Sequence, residues 1–325
     1  EHWHYCVTPV VLPPFHTMSD DDAAYLEVLR DTDKLVIKQE VELLEAFAQN
    51  AANALDLDAL GALGETANRY NVYTADGTQQ FKVIESSEAC GFNDCCIPNG
   101  RICCRPNHKL QLHVYEPEYK QDEAVMVFDR PCKCGQCCSF CDICRQEMRV
   151  YGGGSDAVGD PSRQIAYIKQ PIGGGGLSPS LEIMERDEET PMASVTANAI
   201  CCIGGICCDH TFIVQDSDGN EIGKIVKERP ENLQQFASEV ATDADNFTMY
   251  VPSDLDPKKK AAMLASLHLV DYMLFEDEGD ANFDFVNGNC KFKCCDLYCC
   301  GCVVPCSLSC GGGDDSEEGP PPEEE

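Results

Sequence analysis

The stretch Asp256–Glu276 reads DPKKKAAMLASLHLVDYMLFE, and how it is read decides the fold. Asp256 is placed to cap a helix N-terminus, and Pro257 suits its first turn. From Ala261 to Phe275 the residues are apolar on nearly every side. A helix apolar all round lies either in a protein core or in lipid. The apolar run is about fifteen residues, roughly 22 Å at 1.5 Å per residue, short of a hydrocarbon core of ~30 Å. It also carries His268 and Asp271. In lipid these two would form a functional pair; in a core they would be a hydrogen-bonding pair. Length favours the core, and so a helix threaded through a barrel.

The preceding sequence supplies strands for such a barrel. RYNVYT and QQFKVIES flank an Asp-Gly turn signal. KLQLHVY and EAVMVFD, QEMRVY and RQIAYIKQ, SLEIME and ASVTA, and HTFIVQD and EIGKIVKE form further pairs around turn-rich segments. Each run alternates with period two. DKLVIKQEVELLEAF before them fits a strand or a helix, PENLQQFASEVAT reads as a helix, and FTMYV as a strand. Many short antiparallel strands must close or split into layers to hide their edges. The expectation is a mainly β protein, an antiparallel closed barrel of about twelve strands around helix 257–276. Residues 1–22 read as a tail, 23–280 as the barrel domain and 281–325 as a cysteine-rich, then acidic disordered tail. Gly173–Gly176 reads as a flexible linker without the ending of a phosphate loop.

The chain of 325 residues has net charge −32, which argues against nucleic acid as a partner and against simple electrostatic adhesion to anionic lipid. Its 24 cysteines cluster, many as vicinal pairs. Neighbouring cysteines bridge each other poorly, so thiolate–metal ligation or S-acylation fits better than a disulfide scaffold. Cys134, Cys137, Cys138, Cys141 and Cys144 have zinc-knuckle spacing, and Cys201 and Cys202 with Cys207 and Cys208 offer a second group. One zinc reading uses Cys134, Cys137, Cys201 and Cys202. No nucleophile–base constellation stands out, so an enzyme active site is not expected.

Just before the helix, Asp243–Asp254 reads DADNFTMYVPSD. Counted as an EF-hand loop, its ligand positions are Asp243, Asp245, Phe247, Met249, Val251 and Asp254. Three carry carboxylates, and the others offer backbone carbonyls. Thr248 stands where an EF-hand has glycine. A calcium site on these residues should be weak. The bland alternative is an acidic turn.

In order along the chain, LVIKQEVELLEAF, RPNHKLQLHVYE, FDRPCKCGQCCSFCDICRQEMRV, CCDHTFIVQDSDGNEIGKIVKE and ATDADNFTMYVPSDLDPKKKAAMLASLHLVDYMLFE resemble the phospholipid scramblases. The resemblance covers about residues 24–280 and implies a tubby-like fold, a twelve-stranded barrel around a central helix. It also implies calcium-dependent, ATP-independent movement of phospholipids between leaflets. The family's palmitoylated cysteines fall by position on Cys137, Cys138, Cys141 and Cys144, which places acylation ahead of zinc and of plain reduced thiols. The implied partner is a phospholipid membrane, with protein partners open and the main domain on the cytoplasmic side. An acylated or zinc-stabilised scaffold that moves no lipid is the competing reading.

Overall fold

The computed structural model describes residues 24–40, 67–86, 109–117, 124–133, 139–198, 202–203, 210–228, 246–275 and 290–310. A short helix, α1 (Ala24–Arg30), leads into β1 (Lys34–Gln39). Then follow β2 (Arg69–Thr74), β3 (Gln79–Ser86), β4 (Leu110–Tyr115), β5 (Met126–Arg130), β6 (Glu147–Gly152), β7 (Gln164–Lys169), β8 (Ser180–Glu185) and β9 (Pro191–Ala197). After the short β10 (Cys202–Ile203) come β11 (His210–Asp216), β12 (Glu221–Lys227), β13 (Asn246–Tyr250) and helix α2 (Pro257–Leu274). A hairpin, β14 (Cys290–Cys299) and β15 (Cys302–Cys310), ends the described chain.

Twelve strands close into a barrel in the order β1-β13-β12-β11-β9-β8-β7-β6-β5-β4-β3-β2, all pairs antiparallel. Alternation sets the faces. On β3, Phe81, Val83 and Glu85 point inward and are buried, while Lys82 lies between them on the outside. Arg149, Glu182 and Lys224 likewise occupy partly exposed positions between inward apolar residues. The barrel is therefore apolar within and polar without, the reverse of a barrel that faces lipid along its wall.

Helix α2 fills the interior. Every residue from Lys260 to Tyr272 is buried, as is Leu274. An amphipathic helix would bury one stripe; this one meets barrel wall on all sides, as its all-round apolarity requires. The Asp256 carboxylate accepts from the Lys258 backbone N–H at 2.8 Å, and Pro257 opens the first turn. At its far end Phe275 packs against His210, Phe212 and Phe247, with ring centroids 5.8, 6.2 and 5.9 Å away. Among the described residues no helix is long and apolar enough to cross a membrane.

Lys260 locks the helix to the barrel mouth. Its ammonium donates to the carbonyls of Leu29, Arg30, Thr32 and Ser253 at 2.7–3.0 Å. The Arg30 carbonyl is an orphan at the end of α1, which a cation satisfies well, while that of Leu29 also accepts from the Thr32 N–H at 3.3 Å.

The described residues bear on three segments read from the sequence. β1 resolves the ambiguity of its segment as a strand through Gln39, while PENLQQFASEVAT lies outside the described residues. Gly173–Gly176 is no loose linker: all four glycines have positive φ, and Gly173 and Gly174 are buried. The cysteine-rich segment after residue 281 contains a paired hairpin, whose β14 also pairs with β10 in a second, three-stranded sheet.

Candidate functional site

Up-and-down strands give the barrel two rims of different chemistry. One rim holds the turns 75–78, 153–163, 186–190, 217–220 and 251–256. None of these turns contains cysteine, and each contains Asp or Glu. Asp76, Asp187 and Asp216 accept hydrogen bonds from backbone and side-chain donors within their own turns. Those bonds, first from Thr74, Thr190 and Asn220 respectively, hold the three carboxyls below their ordinary range.

The other rim holds the β1–β2, β3–β4, β5–β6, β7–β8, β9–β11 and β12–β13 connections. Cys6 apart, every cysteine of the chain falls in three of these connections or in residues 290–310. The hairpin tip docks on this rim. Ser139 of the β5–β6 connection donates its N–H to the Cys300 carbonyl at 2.7 Å and accepts from the Gly173 N–H at 2.8 Å. Cys300 in turn donates to the Gly176 carbonyl at 2.7 Å. Behind this junction the Ser139 hydroxyl donates to the Gln170 side-chain oxygen, the Gln170 amide donates to the Tyr298 hydroxyl, and that hydroxyl donates to the Gly174 carbonyl at 2.6 Å. Ser139, Gln170 and Tyr298 are all buried, and burial raises the Tyr298 hydroxyl to about 12.

Glycine is required where the segments touch. A β-carbon on Gly174 would sit 2.8 Å from the Gly301 nitrogen, and one on Gly301 would overlap Ser139. Cys300 and Gly301 both have positive φ, the two-residue turn that suits a tight hairpin.

A polar network lies inside the same end of the barrel. Tyr70 donates to the Asp271 carboxylate at 2.8 Å. Tyr272 donates to Glu85 at 3.1 Å and accepts from Asn68 at 3.0 Å. Arg130 is fully buried, donates to the Gln146 side-chain oxygen at 2.8 and 3.2 Å, and sits 5.6 Å from the Tyr272 ring centroid. His268 departs from the expected satisfied pair. It is fully buried beside Tyr70 and Phe128, and neither ring nitrogen has a hydrogen-bond partner. Burial pushes its pKa down to about 3, so it is neutral.

The cysteine candidates divide. Cys137, Cys138, Cys134 and Cys201 lie outside the described residues, as does the side chain of Cys202. Cys141 is exposed on the turn after Ser139, while Cys144 is 5% exposed. Their sulfurs are 2.9 Å apart. Spacing made the two equivalent acceptors; the turn presents Cys141 and hides Cys144. Among the described residues no group of three or more His, Cys, Asp or Glu is placed to hold a metal ion.

The twelve-residue loop is mostly strand. Asn246–Tyr250 is β13, with Phe247 opposite Ile37 and Met249 opposite Leu35. Their side chains are core, and their carbonyls face neighbouring strands in the ladder, so Phe247 and Met249 are removed as ligands. Val251 begins the exit, its N–H donated to Asp33 and its side chain buried. Asp243 and Asp245 lie outside the described residues, before the strand, and exposed Asp254 lies beyond its other end.

The scramblase family model matches residues 13–277. Phospholipid scramblase 1 of Mus musculus is 28% identical over 256 residues, 78% of this chain and 65% of the relative. Phospholipid scramblase 2 of Bos taurus is 28% identical over 269 residues, 82% of this chain and 75% of the relative. Phospholipid scramblase family member 5 of Homo sapiens is 27% identical over 252 residues, 77% of each chain. The chain spans 63–66% of the length of the mouse, rat and human forms of phospholipid scramblase 1. No solved structure matches. The matched region ends before β14, so the docked hairpin lies outside it.

Proposed function

We propose a function from one premise: this chain belongs to the scramblase family. It moves phospholipids between the leaflets of a membrane, in both directions and without ATP. The observation that carries this reading is the match over residues 13–277, which takes in the whole barrel and α2.

The division of the rims supports a mode of attachment. S-acylation at Cys141, with Cys137 and Cys138, would tether the cysteine rim to the bilayer. Each buried methylene contributes about 0.8 kcal/mol, and two chains make attachment stable. Such a tether suits a protein whose net charge of −32 opposes anionic headgroups. With α2 inside the barrel, contact with lipid runs through the rim and not through a spanning helix. Calcium modulation is part of the proposal, through the carboxylates of Asp243 and Asp245 or of Asp254, without the strand carbonyls. The cytoplasmic side of a cellular membrane is the proposed location.

The test uses acylated full-length protein reconstituted in liposomes with fluorescent lipid, one leaflet quenched. Calcium-dependent loss of the protected signal is expected. Stable attachment with no loss of that signal would overturn scrambling and select a membrane-bound scaffold.

A further inference from the structure

The described residues expose six large apolar side chains, Phe140, Ile143, Ile172, Leu177, Leu297 and Val304, each 43–71% exposed. They are not scattered. Phe140 and Ile143 lie on the β5–β6 connection, Ile172 and Leu177 flank the glycine turn, and Leu297 and Val304 lie on the C-terminal hairpin. These are the three segments that the Ser139, Gly176 and Tyr298 hydrogen bonds hold together. Phe140 also covers Gly173, where a β-carbon would stand 3.3 Å from its ring. On the hairpin, Leu297 and Val304 are opposite each other, and the neighbouring pair, Tyr298 and Val303, turns to the barrel. Leu297 and Val304 thus share the hairpin's outer face with Cys299 and Cys302.

Charge points to the occupant. Neither Pro171–Pro179 nor Leu297–Pro305 contains a charged residue, in a chain of which a quarter is charged. Asp142 is the exposed acid on the Phe140 turn, and Arg145 pairs with it. The carboxylates of Asp76, Asp187 and Asp254 sit at the opposite rim. A single scattered apolar residue on a surface needs no explanation, but a grouped, uncharged set does.

We propose that this three-segment apolar face inserts into the interface of a phospholipid bilayer and docks the protein there without its acyl chains. The proposal rests on the reading that the protein works at membranes. It adds that the hairpin, which lies beyond the family-matched region, is part of the membrane-binding surface. The buried Ser139–Gln170–Tyr298 chain fixes the three segments before contact, so docking does not have to order them. Exposed Cys141 lies on the Phe140 segment, and exposed Cys299 lies on the hairpin face that carries Leu297 and Val304.

Full-length protein stripped of thioesters by hydroxylamine is floated with phosphatidylcholine vesicles. Wild type should float. The pairs Phe140→Ser with Ile143→Ser, and Leu297→Ser with Val304→Ser, should each weaken binding by about tenfold, or 1.4 kcal/mol. Exposed positions should leave the melting temperature unchanged, which shows that the variants fold. Equal flotation of wild type and both pairs would overturn the proposal. So would failure of the wild type to float while light scattering shows a dimer that the same substitutions dissolve, because the face would then cover a second copy of the chain. Flotation needs no lipid movement, so failure here leaves the liposome test of scrambling standing, and the reverse also holds.

Discussion

Replacing His268 by leucine should stabilise the protein and remove part of its acid sensitivity. The side chain is fully buried in the barrel, touching Tyr70 and Phe128, with both nitrogens unpartnered. An unpaired buried polar group costs about 1–3 kcal/mol, and an apolar residue of similar size avoids that cost. At pH 7.5 a gain of about 1–2 kcal/mol is expected, or a melting temperature higher by roughly 2–8 °C in a domain of this size. The pH dependence carries the sharper test. The folded pKa, about 3, lies below the ordinary 6.5. Between these values the unfolded chain holds a proton that the folded chain lacks, so stability falls as pH falls through that window. At about 1.4 kcal/mol per unit, moving from pH 6.5 to pH 5 costs wild type roughly 2 kcal/mol through this one residue. The H268L variant lacks that contribution. Urea unfolding of both proteins at pH 7.5, 6.5 and 5 reads the difference, in which His113, His210 and the carboxylates of Asp271 and Glu85 cancel. Parallel curves for the two proteins would refute the reasoning, because they would mean that His268 is hydrated and α2 is not sealed in the barrel.

Lys260→Met should cost about 3–5 kcal/mol, since it strands the carbonyls of Arg30, Thr32 and Ser253 and leaves that of Leu29 with the Thr32 N–H alone, while Lys258→Ala and Lys259→Ala should stay within about 0.5 kcal/mol; denaturant titration compares them. Gly174→Ala should release the hairpin, because its β-carbon meets Tyr298 and Gly301; limited proteolysis should then cut between residues 290 and 310 while the barrel survives. Cys141→Ser should lower acyl incorporation measured by thioester exchange, whereas Cys144→Ser should leave it unchanged, as the exposed and buried positions of the two thiols require.

The parts of the fold that were legible are those fixed by local pattern. Alternation around a turn gave the pairs from β2 to β12, and Asp256, Pro257 and an apolar circumference gave α2. What was misread has a physical reason. EF-hand ligands recur at alternate positions, and so do the inward residues of a strand, so Phe247 and Met249 fitted both patterns until the ladder placed them in β13. Four successive glycines look from sequence like freedom; all four have positive φ, and at Gly174 a β-carbon would also meet Tyr298 and Gly301 of the hairpin. The hairpin itself carries a repeated cysteine pattern and lies at a chain end, where structure is least expected. That the cysteine clusters share a rim depends on strand order, which no local pattern contains.

The central claim is that the protein meets membranes through its cysteine rim while α2 stays inside the barrel. Hydrogen exchange of acylated full-length protein, with and without calcium and phosphatidylcholine vesicles, tests it most directly. The account predicts new protection in residues 139–144, 172–178 and 297–304, and unchanged strong protection across Ala261–Tyr272. Loss of protection in α2 when vesicles are added, with no change at the rim, would contradict it.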